Sequence, residues 1–148
     1  MAVPKVNPRT ILLVGKETSI MKEGVCGGAM TPGHLVALNS AGKWVVHPSA
    51  GGVALRAFVV EADYNGKGID DAFAADDWAQ VWLVPPGAEV NALVAPSAAA
   101  IAVGDWVESA GNGTVRKLAA GTPLGQAIQA VDNSGNAVSS ARIQILIK

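Results

Sequence analysis

The sequence sets down one short pattern twice. "TPGHLVALNSAGKWVVH" (residues 31–47) is an apolar run, a turn containing Gly42 and a second apolar run, and "AVGDWVESAGNGTVRKL" (102–118) has the same grammar. Aligned without gaps, Gly33 meets Gly104, Val36 meets Val107, Gly42 meets Gly113 and Val60 meets Val131. Each copy supplies a glycine where the chain turns tightly, then a hairpin, then a longer strand returning across it. Such a chain folds by pairing short strands rather than by packing helices. Identity between the copies is low, so two readings stand: a duplication, or two hairpins obeying the same turn rules.

The rest of the chain agrees. "TILLVG" (10–15), "VALRAFVVEA" (53–62), "AQVWLV" (79–84), "AEVNALVA" (88–95), "LGQAIQAV" (124–131) and "ARIQILIK" (141–148) read as further strands. In the last, Ala141, Ile143, Ile145 and Ile147 share one face. "KETSIMKEGVCGGAM" (16–30), polar and then glycine-rich, reads as a loop. The one helical candidate is "DDAFAADDWAQV" (70–81), with Asp70 as its cap. About ten short strands at this spacing predict an all-β fold. We expect a compact β-barrel or sandwich with two hairpin-based half-repeats (about 31–84 and 102–148). Residues 1–20 form an extended N-terminal arm and first strand, and 21–148 one β-rich domain.

Composition narrows the function. Of 148 residues 50% are apolar and 16% charged, against the usual quarter or so charged. The formal net charge of −1 offers no bulk attraction to nucleic acid or to an anionic membrane. No run of about twenty apolar residues provides a spanning helix. The opening "MAVPKVNPRT" lacks the charged head and apolar core of a signal peptide, so synthesis in the cytoplasm is expected. Cys26, the single cysteine, can form neither an intramolecular disulfide nor a zinc cluster, and reads as a small buried residue.

Chemistry-bearing clusters are sparse. Glu61, Asp63, Asp70, Asp71, Asp76 and Asp77 make an acidic insertion around Lys67. Asp63, Asn65 and Gly68 match the first, third and sixth positions of a calcium loop. However, Lys67 and Ala74 occupy the fifth and twelfth, where acidic ligands belong, so an EF-hand is untenable. The adjacent pairs Asp70/Asp71 and Asp76/Asp77 point apart in either regular structure and imply no acid–base dyad. His34 and His47 bracket the first hairpin without a third ligand. No G-x-S-x-G elbow, P-loop or dinucleotide fingerprint occurs, so neither an enzyme, a metal site nor a cofactor is expected. Trp44 and Trp106 read as hairpin and core residues, and Trp78 and Trp82 as interface candidates. The arm carries Lys5, Arg9, Lys16 and Lys22 against Glu17, suited to ordering on a partner surface.

Taken together, "GGAMTPGHLVALNSAGKWVVHPSAGG", "NGKGIDDAFAADD", "VPPGAEVNALVA" and "IAVGDWVESAGNGTVRKL" resemble the capsid decoration, or cement, proteins of tailed phages, over roughly residues 24–148. The resemblance implies a β-barrel-like structural protein on the outer capsid surface of the virion. It implies a homotrimer that clamps neighbouring major capsid protein subunits and stabilises the mature head. It transfers no contact residues. Exposure and charge nominate Pro4, Lys5, Asn7 and Arg9 of the arm, Asp70 and Asp71 of the insertion, and Trp78 and Trp82. The competing expectations are another virion β-domain, such as a head–tail connector or fibre-like part, and a barrel binding a small ligand or cation at the acidic insertion.

Overall fold

The computed structural model describes residues 8–15 and 20–148. Short runs of Val, Ile, Ala and Trp, stopped by Gly, Pro or Asn, form eleven strands among the described residues. They are β1 (Leu12–Val14), β2 (Ile20–Val25), β3 (Val36–Leu38), β4 (Trp44–Val46), β5 (Ala57–Val59), β6 (Trp78–Leu83), β7 (Glu89–Val94), β8 (Trp106–Ser109), β9 (Val115–Lys117), β10 (Gly125–Ala127) and β11 (Ala141–Ile147). The only helical element among them is one 3-10 turn, Asp63–Asn65.

The strands make two copies of one closed circuit. In the second, β7–β11–β10–β8–β9 pair side by side, and a parallel pairing of Val94 with Val115 joins β9 back to β7. In the first, β2–β6–β5 form a sheet and β3–β4 a hairpin. Isolated bridges, Leu35 with Phe58 and Cys26 with Trp44 in parallel, complete the same ring. Strands β2 to β6 thus correspond in order to β7 to β11, and β1 is an addition on the edge of β7. The match extends to single residues. Met30 exchanges backbone hydrogen bonds with Phe73 as Ile101 does with Val131. Gly33 and Gly104 both adopt positive φ (96° and 89°), a conformation that costs glycine nothing. The structural repeat begins at β2, before the stretch in which the sequence echo is visible.

Each barrel has its own filling. Val36 and Val107, Val59 and Ala127, and Val81 and Ile145 occupy matching interior positions and are buried. Where the sequences differ, volumes compensate. The first barrel combines Trp44 with Gly24 and Ala79, and the second has Val115 with Ala92 and Ile143 at the corresponding places. A Cβ on Gly24 would stand 2.7 Å from the Trp44 ring, so the glycine makes room for the indole in a core packed to crystal-like density.

The barrels dock through unlike faces. On the first, the outward-pointing row Leu35–Phe58–Trp82 is fully buried and runs into the same apolar cluster as the second barrel's interior. On the second, β7, β11 and the turn before β9 receive it. Leu35 N–H donates to Gly113 O (2.7 Å) and Gly113 N–H to His47 O (3.1 Å). Arg142 reaches across from β11 to Pro32 O (3.1 Å), Ile69 O (2.5 Å) and Asp70 Oδ1 (3.2 Å). Gly33 lies under that guanidinium, where a Cβ would be 2.7 Å from Nη1.

Three expectations are corrected. Residues 70–81 form no helix: turn chemistry wins, with Asp71 accepting Gly68 N–H (2.8 Å), Asp77 accepting Ala74 N–H (2.8 Å) and Asp76 at φ 68°. The stretch 16–30 is not all loop, because 20–25 form β2 against β6. Finally, the long run 53–62 contributes only the three residues of β5.

Candidate interaction surfaces

The two histidines do separate structural work. The His34 ring accepts Thr31 N–H at Nδ1 (2.9 Å). Burial, and then the nearby Arg142 charge, lower its pKa to about 4, so it is neutral at physiological pH. His47 is buried, with Nδ1 against Ser109 Oγ (2.8 Å) and Nε2 against Val53 O (3.0 Å). The Cys26 thiol is also buried, and burial followed by the Asp77 charge raises its pKa. Among the described residues no group of three or more His, Cys, Asp or Glu side chains is placed to hold a metal ion.

The acidic insertion is organised by its one lysine. Lys67 donates to Ala72 O (2.9 Å), lies 3.8 Å from Asp77 and sits over the Phe73 ring, 5.3 Å from its centroid. Asp70 leans to Arg142 and Asp71 closes a turn on Gly68. Asp70, Asp71 and Asp77 are thereby given local roles.

A cleft of about 550 Å³ opens where the barrels meet, lined by Arg9, Asp70 and Arg142 among others. The structure therefore brings together two of the nominated residues, Arg9 and Asp70. The chain enters beside this cleft: the Asn91 amide donates to Pro8 O (3.2 Å) and Thr10 O (3.3 Å), and Thr10 Oγ1 donates to Glu61 Oε1 (2.6 Å). Pro4, Lys5 and Asn7 lie outside the described residues.

The tryptophans divide differently from the expectation. Trp78 is on the surface, 64% exposed, but Trp82 is fully buried and so forms no exposed contact surface. Both project from the same face of β6, and only the end carrying Trp82 is covered by the second barrel. Trp44 is buried as expected, whereas Trp106 is 39% exposed. Sequence reasoning missed this surface altogether. Trp106, Gln126 and Leu146 form a direct cross-strand row on β8, β10 and β11, and Val103 is exposed beside it. On the first barrel Ile20, Met21, Leu38 and Trp78 are exposed. That barrel also carries a groove of about 340 Å³ lined by Glu23, Gly24, Leu38, Gly42, Trp44 and Leu55.

No protein-family model matches the sequence, and no curated protein does. Among solved structures, the fold is similar to the N base of the head fiber gp8.5 of bacteriophage phi29, with a TM-score of 0.59 at 11% identity. The similarity covers 88% of this chain and 94% of that one. It spans both barrels, so the two-barrel arrangement itself is shared.

Proposed function

We propose that this chain is a structural protein of a phage virion that binds the outer capsid surface as a homotrimer and cements neighbouring major capsid protein subunits. The observation that carries the reading is the near end-to-end likeness to a phage head fiber base. The resemblance of residues 24–148 to capsid decoration proteins adds to it. The role is non-enzymatic and uses no cofactor. Stapling needs no strong single contact: once one subunit of a trimer is bound, the others engage intramolecularly at high effective concentration. A protein that binds only the mature shell stabilises that shell by linkage.

The arm is the capsid-binding element in this reading. Its described base is hydrogen-bonded to Asn91 at Pro8 O and Thr10 O, beside the cleft of Arg9, Asp70 and Arg142. The test is co-sedimentation with purified mature capsids, using the full chain and a variant lacking residues 1–7. Saturable pelleting that the truncation weakens supports cementing through the arm. No pelleting of the full chain rejects capsid binding, and unchanged pelleting removes the arm from the mechanism. A second reading, a fibre-like attachment domain, is favoured by the likeness to a head fiber base. It predicts binding at a few sites per head rather than over the whole shell.

A further inference from the structure

We propose that copies of this chain associate head to tail, and that the contact between them repeats the contact between the two barrels within the chain. The two barrels are equivalent strand for strand, so every face used inside the chain has a counterpart that is not. The donor face of the first barrel is the row Leu35–Phe58–Trp82, fully buried. Its counterpart on the second barrel is Trp106–Gln126–Leu146, joined by the same cross-strand pairings. There Trp106 and Leu146 are 39% and 36% exposed. The acceptor face of the second barrel includes the pair Leu93–Arg142 and Gly113. Its counterpart on the first barrel is the pair Val25–Trp78 with Gly42, where Trp78 is exposed.

One free face is thus a donor and the other an acceptor of the same type, one on each barrel. The groove beside Gly42 falls where the partner would insert. Within the chain, Leu35 meets the second barrel at Gly113, next to the β7–β9 junction. The groove flanks the corresponding β2–β4 junction at Gly42 and Trp44 and is open. Trp106, the counterpart of Leu35, is the larger side chain that would fill it. Indole rings in such pockets commonly dominate interface energetics.

A contact between unlike faces is heterologous, and it closes into a ring when its rotation permits. Three copies would then form a ring of six similar barrels. This deepens the homotrimer of the proposed function, but it is measured on the free protein. A monomer that still pellets with capsids would overturn the ring and leave capsid binding standing.

The experiment is mass measurement of the purified full chain at micromolar concentration by analytical ultracentrifugation. The variants are Trp106→Glu and Trp78→Glu, with Val103→Glu and Leu38→Glu as second probes of each face. Circular dichroism confirms folding. The expected result is a wild-type trimer and a monomer for each single-face variant. An equimolar mixture of Trp106→Glu and Trp78→Glu should give a one-to-one dimer and nothing larger, because only one intact donor–acceptor pair remains. A monomeric wild type, dissociation by variants of one face only, or a mixture that stays monomeric would each overturn the proposal.

Discussion

His34 and Asp105 hold the same turn in the two halves of the molecule. Thr31 N–H donates to His34 Nδ1 at 2.9 Å, and Ala102 N–H donates to Asp105 Oδ2 at 2.9 Å. Behind each, the backbone N–H of the same residue returns to the carbonyl three positions earlier, His34 to Thr31 (3.0 Å) and Asp105 to Ala102 (3.1 Å). Imidazole and carboxylate share one property used here, a lone pair at the right reach to accept a backbone N–H.

That role makes the first turn pH-sensitive. The folded-state pKa of His34 is lowered to about 4 from 6.5, so the unfolded chain binds the proton first. Its contribution is fully present above about 6.5 and is lost as pH falls towards about 4, on the order of 3 kcal/mol by linkage. His34→Asn keeps an acceptor without that titration. Urea midpoints should fall more steeply from pH 6.5 to 5 for the wild type than for His34→Asn, and parallel profiles would contradict this.

The fit of Trp44 over Gly24 predicts coupling between substitutions. Gly24→Ala should cost about 1–3 kcal/mol by overpacking and Trp44→Val about 3 kcal/mol by leaving a cavity. The double variant should lose less than the sum, by at least ~0.5 kcal/mol. Additive losses in urea denaturation would mean that the two side chains do not share space.

The two tryptophans of β6 should behave oppositely in stability measurements on the isolated subunit. Trp82→Ala should cost about 3–5 kcal/mol, and Trp78→Ala within about 0.5 kcal/mol. Trp82→Phe should cost clearly less than Trp82→Ala, because the Trp82 indole N–H is buried without an acceptor among the described residues.

Glu108 is fully buried, and it accepts from Arg116 Nε (2.9 Å) and Gly121 N–H (2.7 Å). Removing the arginine strands a buried carboxylate. Arg116 is 42% exposed, and solvent screening reduces the loss below that of a wholly buried pair. Arg116→Ala should therefore cost about 2–3 kcal/mol, and Arg116→Lys less. A neutral Arg116→Ala would show that water satisfies Glu108 instead.

Hairpins and alternating strands were legible because period-two patterning and glycine turns are local signals. β11 shows this well, with Ile143, Ile145 and Ile147 buried on one face. β2 was not legible, since "IMKEGV" is mostly exposed and its Gly24 is explained only by Trp44, a partner distant in sequence. The fates of Trp82 and Trp106 were not legible either. Both point outward from a barrel, and only the docking of the second barrel buries one of them. The insertion misled because its aspartates satisfy both helix-cap and turn chemistry, and the Met30–Phe73 pairing selected the turns.

The central claim concerns location, and an electron cryo-microscopy reconstruction of the virion that carries this protein tests it most directly. The account predicts two-barrel density repeated across the outer shell, bridging adjacent major capsid protein subunits. Density confined to the tail or the head–tail junction, or none on the outer shell, would contradict it.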